Sequence, residues 1–307
     1  MNNLNKNRIR QSVNNMTNYK VMKLWTVSAK GTFASLGRLP SHYGVNKPVF
    51  VIKWVPPASG KGSSNVRNVI ESLGYPIETY VNFNIDDVVE STKYFIEESN
   101  RRARNYLSRI HVNPNNVNKV VEALNTIQQN NAISLGKSYS QIRNGVGSSG
   151  KKLSNKLDIF LQQAIQLRKN ITFETTGMSG FPEWLFTQKG LNNTNYDVHI
   201  VFPLVPFPIT WERYRRRAAL MLRSGKGFRF TSWKESARTQ YRKPYDNFLN
   251  LITSTKKLNL LKSVTILPFE GRPLKYIVKS REGLRSQNLA SIEAVVEKFR
   301  NSSVANQ

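Results

Sequence analysis

The chain has 307 residues, of which 39% are hydrophobic, enough for one large α/β domain with appendages or for two small ones. Cysteine is absent, which excludes disulfides and thiolate metal sites and points to an intracellular setting; three scattered histidines, His42, His111 and His199, make no metal set. A net charge of +27, from 46 Lys+Arg against 19 Asp+Glu, selects polyanionic partners such as nucleotides or nucleic acid, and the longest apolar run, Ile200–Ile209, is too short and too rich in proline for a membrane span.

Residues 1–46 are rich in Asn, Lys and Arg and read as a basic extended arm without the apolar stretch of a secretory signal. Residues 1–70 carry eleven Lys/Arg and no acid. Val49–Val55 is an apolar run that predicts a buried parallel strand. A Pro/Gly/Ser turn follows, and then Val66, Val69, Ile70 and Leu73 recur at helical spacing, predicting a helix over Ser63–Leu73 that stops at Gly74. Tyr80–Ile85 reads as a second strand. From Asp86 the pattern turns helical through Leu107, and Val117–Ile127 is a further helix. Ser134–Gly150 is polar and glycine-rich and reads as a loop.

Leu153–Leu167 predicts an amphipathic helix with Leu153, Leu157, Phe160, Leu161, Ala164 and Ile165 on one face. Ile171–Phe173 is a short strand running into Glu174. Val198–Val205 is a strand with an internal proline. Ile209–Leu222 predicts an arginine-studded helix, Ser224–Ser232 a glycine-containing loop and Trp233–Leu261 a mostly helical stretch. Residues 210–243 form a second basic cluster, with eleven Lys/Arg against Glu212 and Glu235. Val264–Leu267 and Lys275–Val278 flank the turn Glu270–Pro273, and Ser286–Phe299 is a last helix. Strands alternating with helices predict a mostly parallel twisted sheet of about five strands with helices on both faces. The expected organisation is an arm over 1–46, an α/β domain over 47–280 with a lid over about 208–235, and a C-terminal helix and tail over 281–307.

The strand, glycine turn, lysine and helix around residue 60 have the layout of a P-loop, in which backbone N–H groups and a helix N-terminus surround a phosphate. Against G-x-x-x-x-G-K-[ST] the segment reads Val55-Pro56-Pro57-Ala58-Ser59-Gly60-Lys61-Gly62, then Ser63. Val55 stands where the first glycine is expected, and Gly62 displaces the hydroxyl by one position, onto Ser63. The candidate phosphate-binding residues are therefore Pro57, Ala58, Ser59, Gly60, Lys61, Gly62 and Ser63. Gly145–Lys151 also fits G-x-x-x-x-G-K, but no strand leads into it. Phosphoryl transfer further needs a carboxylate near the acceptor, an acid near the metal and cations around the moving phosphoryl. Asp86 and Asp87 follow the second strand, where a carboxylate can orient an acceptor hydroxyl; the same positions suit a helix N-cap and first turn. Glu174, at another strand end, suits Mg²⁺. Arginines 213, 215, 216, 217, 223 and 229 suit phosphate oxygens, or a nucleic-acid patch.

Taken in order, these segments resemble the zeta-toxin family of P-loop kinases. The carriers are Asn84-Ile85-Asp86-Asp87, Asn170–Gly177 (similar to a strand ending in E-G-T), Tyr196–Pro206 before the lid, Thr210-Trp211-Glu212-Arg213-Tyr214 (matching T-x-E-R-Y), and Ser263–Tyr276. Together they cover Pro48–Val278. The resemblance implies an ATP- and Mg²⁺-dependent kinase; family members phosphorylate a sugar hydroxyl of UDP-N-acetylglucosamine. Lys61 would bind the β- and γ-phosphates, and Ser63 and Glu174 would serve the metal. Asp86 would be the base with Asp87 second, and Arg213 and Arg229 would stabilise the transition state. An antitoxin-like protein partner is implied as well. The departures are Val55, the Gly62-Ser63 order and Thr175 in place of the glycine of E-G-T. They leave a second expectation beside the first: a catalytically decayed kinase-like domain acting as a basic nucleic-acid-binding or virion structural protein.

Overall fold

The structure is a computed structural model that describes residues 47–56, 58–60, 63–144, 153–278 and 285–302, with backbone alone for 153–157 and 285–288. Its elements begin with β1 (Val49–Trp54), α1 (Ser64–Glu71), β2 (Tyr80–Phe83), α2 (Ile85–Glu90) and α3 (Lys93–Arg109). There follow α4 (Val117–Asn125), α5 (Gln129–Asn144), α6 (Leu153–Gln166), β3 (Asn170–Thr175), α7 (Trp184–Thr187) and β4 (Asp197–Leu204). The chain ends in α8 (Phe207–Arg223), α9 (Lys234–Ile252), α10 (Thr255–Leu258), β5 (Ser263–Pro268), β6 (Leu274–Ile277) and α11 (Arg285–Asn301). Two compact units form. One takes Ile85–Phe160 and Trp211–Ala237; among the described residues the other runs up to Asn84, then over Leu161–Thr210, and on from Arg238.

Among the described residues the sheet unit holds six strands in the order β2-β3-β1-β4-β5-β6. The first five are parallel and β6 runs antiparallel on β5. The expected count of about five is thus corrected to six. The extra edge strand arises because the chain reverses between Pro268 and Leu274, with Gly271 at φ 123°, a conformation that glycine adopts without strain. β1 is central and buried at every position, which is why its sequence is an apolar run rather than an alternating one. One face carries Val49 and Val51, packed with Val66 and Ile70 of α1 and with Tyr80, Val201 and Leu267. The other face is aromatic. Trp54, Phe202, Tyr245 and Phe248 pack edge and tilt, with Phe202 and Phe248 centroids 4.6 Å apart. Trp54 Nε1 also donates to the Pro244 carbonyl at 3.0 Å, and Tyr241 Oη donates to Val205 O at 2.7 Å. Such rings bury large apolar areas, and the buried N–H and O–H groups find acceptors.

The helical unit packs α3 against α5. Ser134–Gly150, expected as a loop, is helical as far as Asn144 in α5; residues 145–152, and so the whole second loop match Gly145–Lys151, lie outside the described residues. Ala132, Leu135, Gly136, Tyr139 and Ile142 all face inward on α5, a spacing of three and four residues that tertiary packing converts into a helix despite weak local propensity. The segment after α8 is stitched down as well. Phe228 N donates to Ser99 Oγ at 2.8 Å, Asn100 Nδ2 donates to Gly225 O at 3.1 Å, and Thr231 N donates to Tyr214 Oη at 2.6 Å. Phe230 stacks on Tyr214, with centroids 5.1 Å apart. Gly227, at φ 101°, comes so close to Phe95 that a Cβ would lie 2.6 Å from its ring.

Candidate functional site

The loop after β1 occupies the most informative position in the sheet unit. β1 lies between β3 and β4. The chain leaves β1 toward the β3–β2 side and leaves β4 toward β5, so the carboxyl ends of β1 and β4 flank a topological switch point, where open α/β sheets bind ligands. Val55, expected to obstruct a tight turn, does not turn. Its N–H continues the ladder to Thr175 O at 2.8 Å, an extended geometry that a β-branched residue favours. The left-handed positions fall further on, at Ala58 (φ 61°) and Gly60 (φ 87°). Ala58 therefore carries the strain that the loop requires, of order 1 kcal/mol. Ser59 is buried, with its N–H on Pro56 O at 3.1 Å and its hydroxyl on the same carbonyl at 2.7 Å. Ser63 N donates to Gly60 O at 2.9 Å. Its Oγ accepts from Val66 N at 3.4 Å, which caps α1. Pro57, Lys61 and Gly62 lie outside the described residues.

Glu174 stands at the carboxyl end of β3, in register with Lys53 of β1. Lys53 is buried within the apolar run. Its Nζ donates to Asn82 Oδ1 at 2.8 Å and lies 3.6 Å from Glu174 Oε2. Thr172 Oγ1 donates to the same Asn82 oxygen at 2.7 Å. Asn82, Thr172, Glu174 and Lys53 thus form a polar chain across three strands on the face that α1 covers. A buried charge needs partners of this kind. Ser63 and Glu174 are oxygen donors, the kind Mg²⁺ takes one or two at a time while keeping waters and phosphate oxygens, so the donor set fits the ion. Among the described residues no group of three His, Asp or Glu is gathered as a metal cluster.

The helical unit holds the second set. Asp86 follows the end of β2 by three residues and is buried in the first turn of α2. Arg229 Nη2 reaches Asp86 Oδ2 at 2.7 Å, and its Nη1 reaches Glu90 Oε1 at 2.7 Å. Tyr139 Oη donates to Asp86 Oδ1, Arg143 Nη1 donates to Tyr139 Oη at 3.0 Å, and Arg217 Nη2 pairs with Glu90 at 2.8 Å. The Arg229 guanidinium lies over the Tyr139 ring, 4.8 Å from its centroid. Burial opposes the Arg229 charge, but Tyr139, Asp86 and Glu90 outweigh it and raise its pKa. Burial, with the Asp86 carboxylate, also raises that of Tyr139, which stays a hydrogen-bond donor. Asp86 and Glu90 lie one turn apart on α2, where like charges repel, and Arg229 bridges them.

Of the two arginines expected at the site, Arg229 meets Asp86, whereas Arg213 is exposed and lines a trough on α8 with Arg216, Arg217, Leu220, Met221 and Ser224. Asp87 is half-buried beside Asp86. Lys53, Asn82, Glu90 and Tyr139 were missed from the sequence. Two signals were present: a lone cation inside an apolar run, and an acid four residues after Asp86. Nothing in the sequence singles out Tyr139.

No helix among the described residues is long and apolar enough to cross a membrane. No protein-family model matches the chain, and no curated protein matches it. Among solved structures, one from the PezAT chromosomal toxin–antitoxin system of Streptococcus pneumoniae is similar over 98% of this chain and 98% of its own, at 11% identity and a TM-score of 0.46.

Proposed function

We propose that the chain is a phosphotransferase of the zeta-toxin type that binds ATP with Mg²⁺ at residues 57–63 and phosphorylates a hydroxyl of a small molecule. The observation that carries this reading is the place of the loop. It joins the carboxyl end of the central strand to the N-terminus of α1 at the switch point of a parallel sheet. There the dipole and open amides of a helix end favour phosphate. Lys61 is the proposed cation for the β- and γ-phosphates. Ser63 and Glu174 would hold Mg²⁺, which when bound neutralises charge on the phosphate oxygens. Asp86 is the proposed base, with Asp87 beside it. Arg229 holds one oxygen of the Asp86 carboxylate and Tyr139 donates to the other, which fixes its orientation toward an acceptor hydroxyl whose proton it would take. Arg213 and Arg229 are the proposed transition-state arginines.

One observation favours the reading of a kinase-like domain that no longer turns over. The N–H groups of Val55, Ser59 and Ser63 are already engaged within the chain, which removes them from a phosphate cradle. A single experiment separates the two readings. Millimolar MgATP should raise the melting temperature of the full chain by several degrees, about 2.7 kcal/mol at a hundredfold excess over Kd. The shift should vanish in Lys61→Ala, and label from γ-phosphate-labelled ATP should pass into a metabolite extract. A shift without transfer supports the decayed domain; no shift in the wild type ends the nucleotide reading.

A further inference from the structure

Helix α8 and the segment after it carry more cations than phosphoryl transfer uses, and the structure sorts them into two sets. Arg215, Arg217 and Arg229 pair within the fold. Arg215 Nη1 donates to Val121 O at 3.0 Å, and its guanidinium lies 5.5 Å from the Trp211 ring centroid. Arg217 pairs with Glu90, and Arg229 bridges Glu90 and Asp86. The outward set is Arg213, Arg216 and Arg223, all exposed. With Leu220 they recur at intervals of three, four and three residues, which places them along one face of the helix. Among the described residues, a trough of about 340 Å³ on this helix is lined by Arg213, Arg216 and Arg217 with Leu220, Met221 and Ser224, and by no acid. The acid on this stretch of helix, Glu212, acts electrostatically on Arg215.

The outward cations are strung out rather than convergent. From Arg213 to Arg223 the helix rises about 15 Å at 1.5 Å per residue, the axial length occupied by about four phosphates of one strand of a duplex. A single small anion cannot meet both ends. Among the described residues the face presents no exposed aromatic ring on which an unpaired base would stack, and its exposed apolar side chain, Leu220, is far less than the broad apolar face that an interfacial helix buries in lipid. Charge complementarity at this spacing therefore selects a backbone. We propose that the outer face of α8 is a docking surface for the phosphate backbone of duplex DNA, read without regard to sequence. The surface shares Arg213 with the proposed phosphotransferase site, so its test rests on Arg216 and Arg223, which have no part in that site.

The test is fluorescence anisotropy of the full chain with a labelled 20-base-pair duplex between 50 and 200 mM salt. It compares the wild type with Arg216→Gln/Arg223→Gln. Losing two phosphate contacts should make the log–log salt slope shallower by about 1.8. Over that fourfold salt step, the wild type should lose about tenfold more affinity than the variant. The charge-retaining Arg216→Lys/Arg223→Lys should keep the wild-type slope, which separates charge from folding, and the melting temperature reports folding directly. Equal slopes for the wild type and the Gln variant overturn the proposal and assign any binding to other basic segments. Undetectable or salt-insensitive binding by the wild type overturns it too, as does tighter binding of poly-glutamate than of duplex.

Discussion

His199 is a buried imidazole at the amino-terminal part of β4, with Nδ1 2.7 Å from Ser263 Oγ. Burial lowers its pKa from 6.5 to about 4, against a raising effect from Asp197 and with a further lowering from Lys275 and Lys262. The folded value lies below the unfolded one. As pH falls the unfolded chain therefore takes up the proton first, and stability drops between about pH 6.5 and 4. Across that window the cost is about 3 kcal/mol. Urea midpoints of the wild type and His199→Gln at pH 7.5 and 4.5 should show the wild type losing more stability on acidification; parallel losses would count against His199 as the source. At this scale the sequence was least legible. Lys53 reads as an interruption of an apolar run until β3 sets Glu174 opposite it, and Tyr139 acquires a role when α5 folds back to bring it onto Asp86. Such pairings join residues dozens of positions apart, and no local pattern encodes them.

The helix α5 shows how an element can be misread and what a test of its packing looks like. Gly136, in its interior, would ordinarily be stabilised by alanine by 0.4–1 kcal/mol or so, roughly, through the unfolded state. Here a Cβ would lie 2.9 Å from the Thr231 backbone Cα, and backbone cannot give way as a side-chain tip can. Gly136→Ala should therefore destabilise the protein by about 1–3 kcal/mol, the usual result of overpacking, as read by chemical denaturation. A neutral or stabilising result would mean that Thr231 does not press on the helix. Gly, Ser and Asn over 134–150 suggested a loop because their propensities are weak. The spacing of Leu135, Tyr139 and Ile142 was the stronger signal, since burial of a stripe outweighs propensity. The strands were legible for the converse reason. Apart from Lys53 and His199, Val49–Trp54 and Val198–Leu204 are apolar on both faces, the pattern of strands covered on both sides.

Over the whole molecule, alternation of strands and helices sufficed to predict a parallel sheet, but the strand order did not follow from it. Order depends on which crossover passes which strand, and several arrangements satisfy the same local pattern. The one adopted places β1 between partners far along the chain, with Phe50 opposite Ile171 on one side and Val198 on the other. Closing loops of that length precedes any gain from pairing, so folding should be slow. Refolding from urea, followed by tryptophan fluorescence, should take milliseconds to seconds and pass through a populated intermediate; a single microsecond phase would contradict the topology. A related consequence concerns synthesis. At about 5–20 residues per second, a ribosome needs about 6–24 seconds to travel from Trp54 to the end of β3, the first of its two neighbours to be made. Throughout that interval Val49–Trp54, later the centre of the sheet, emerges with neither neighbour made. The nascent chain thus carries its stickiest segment in the open for longest, and a chaperone that holds extended apolar peptides would find its target there.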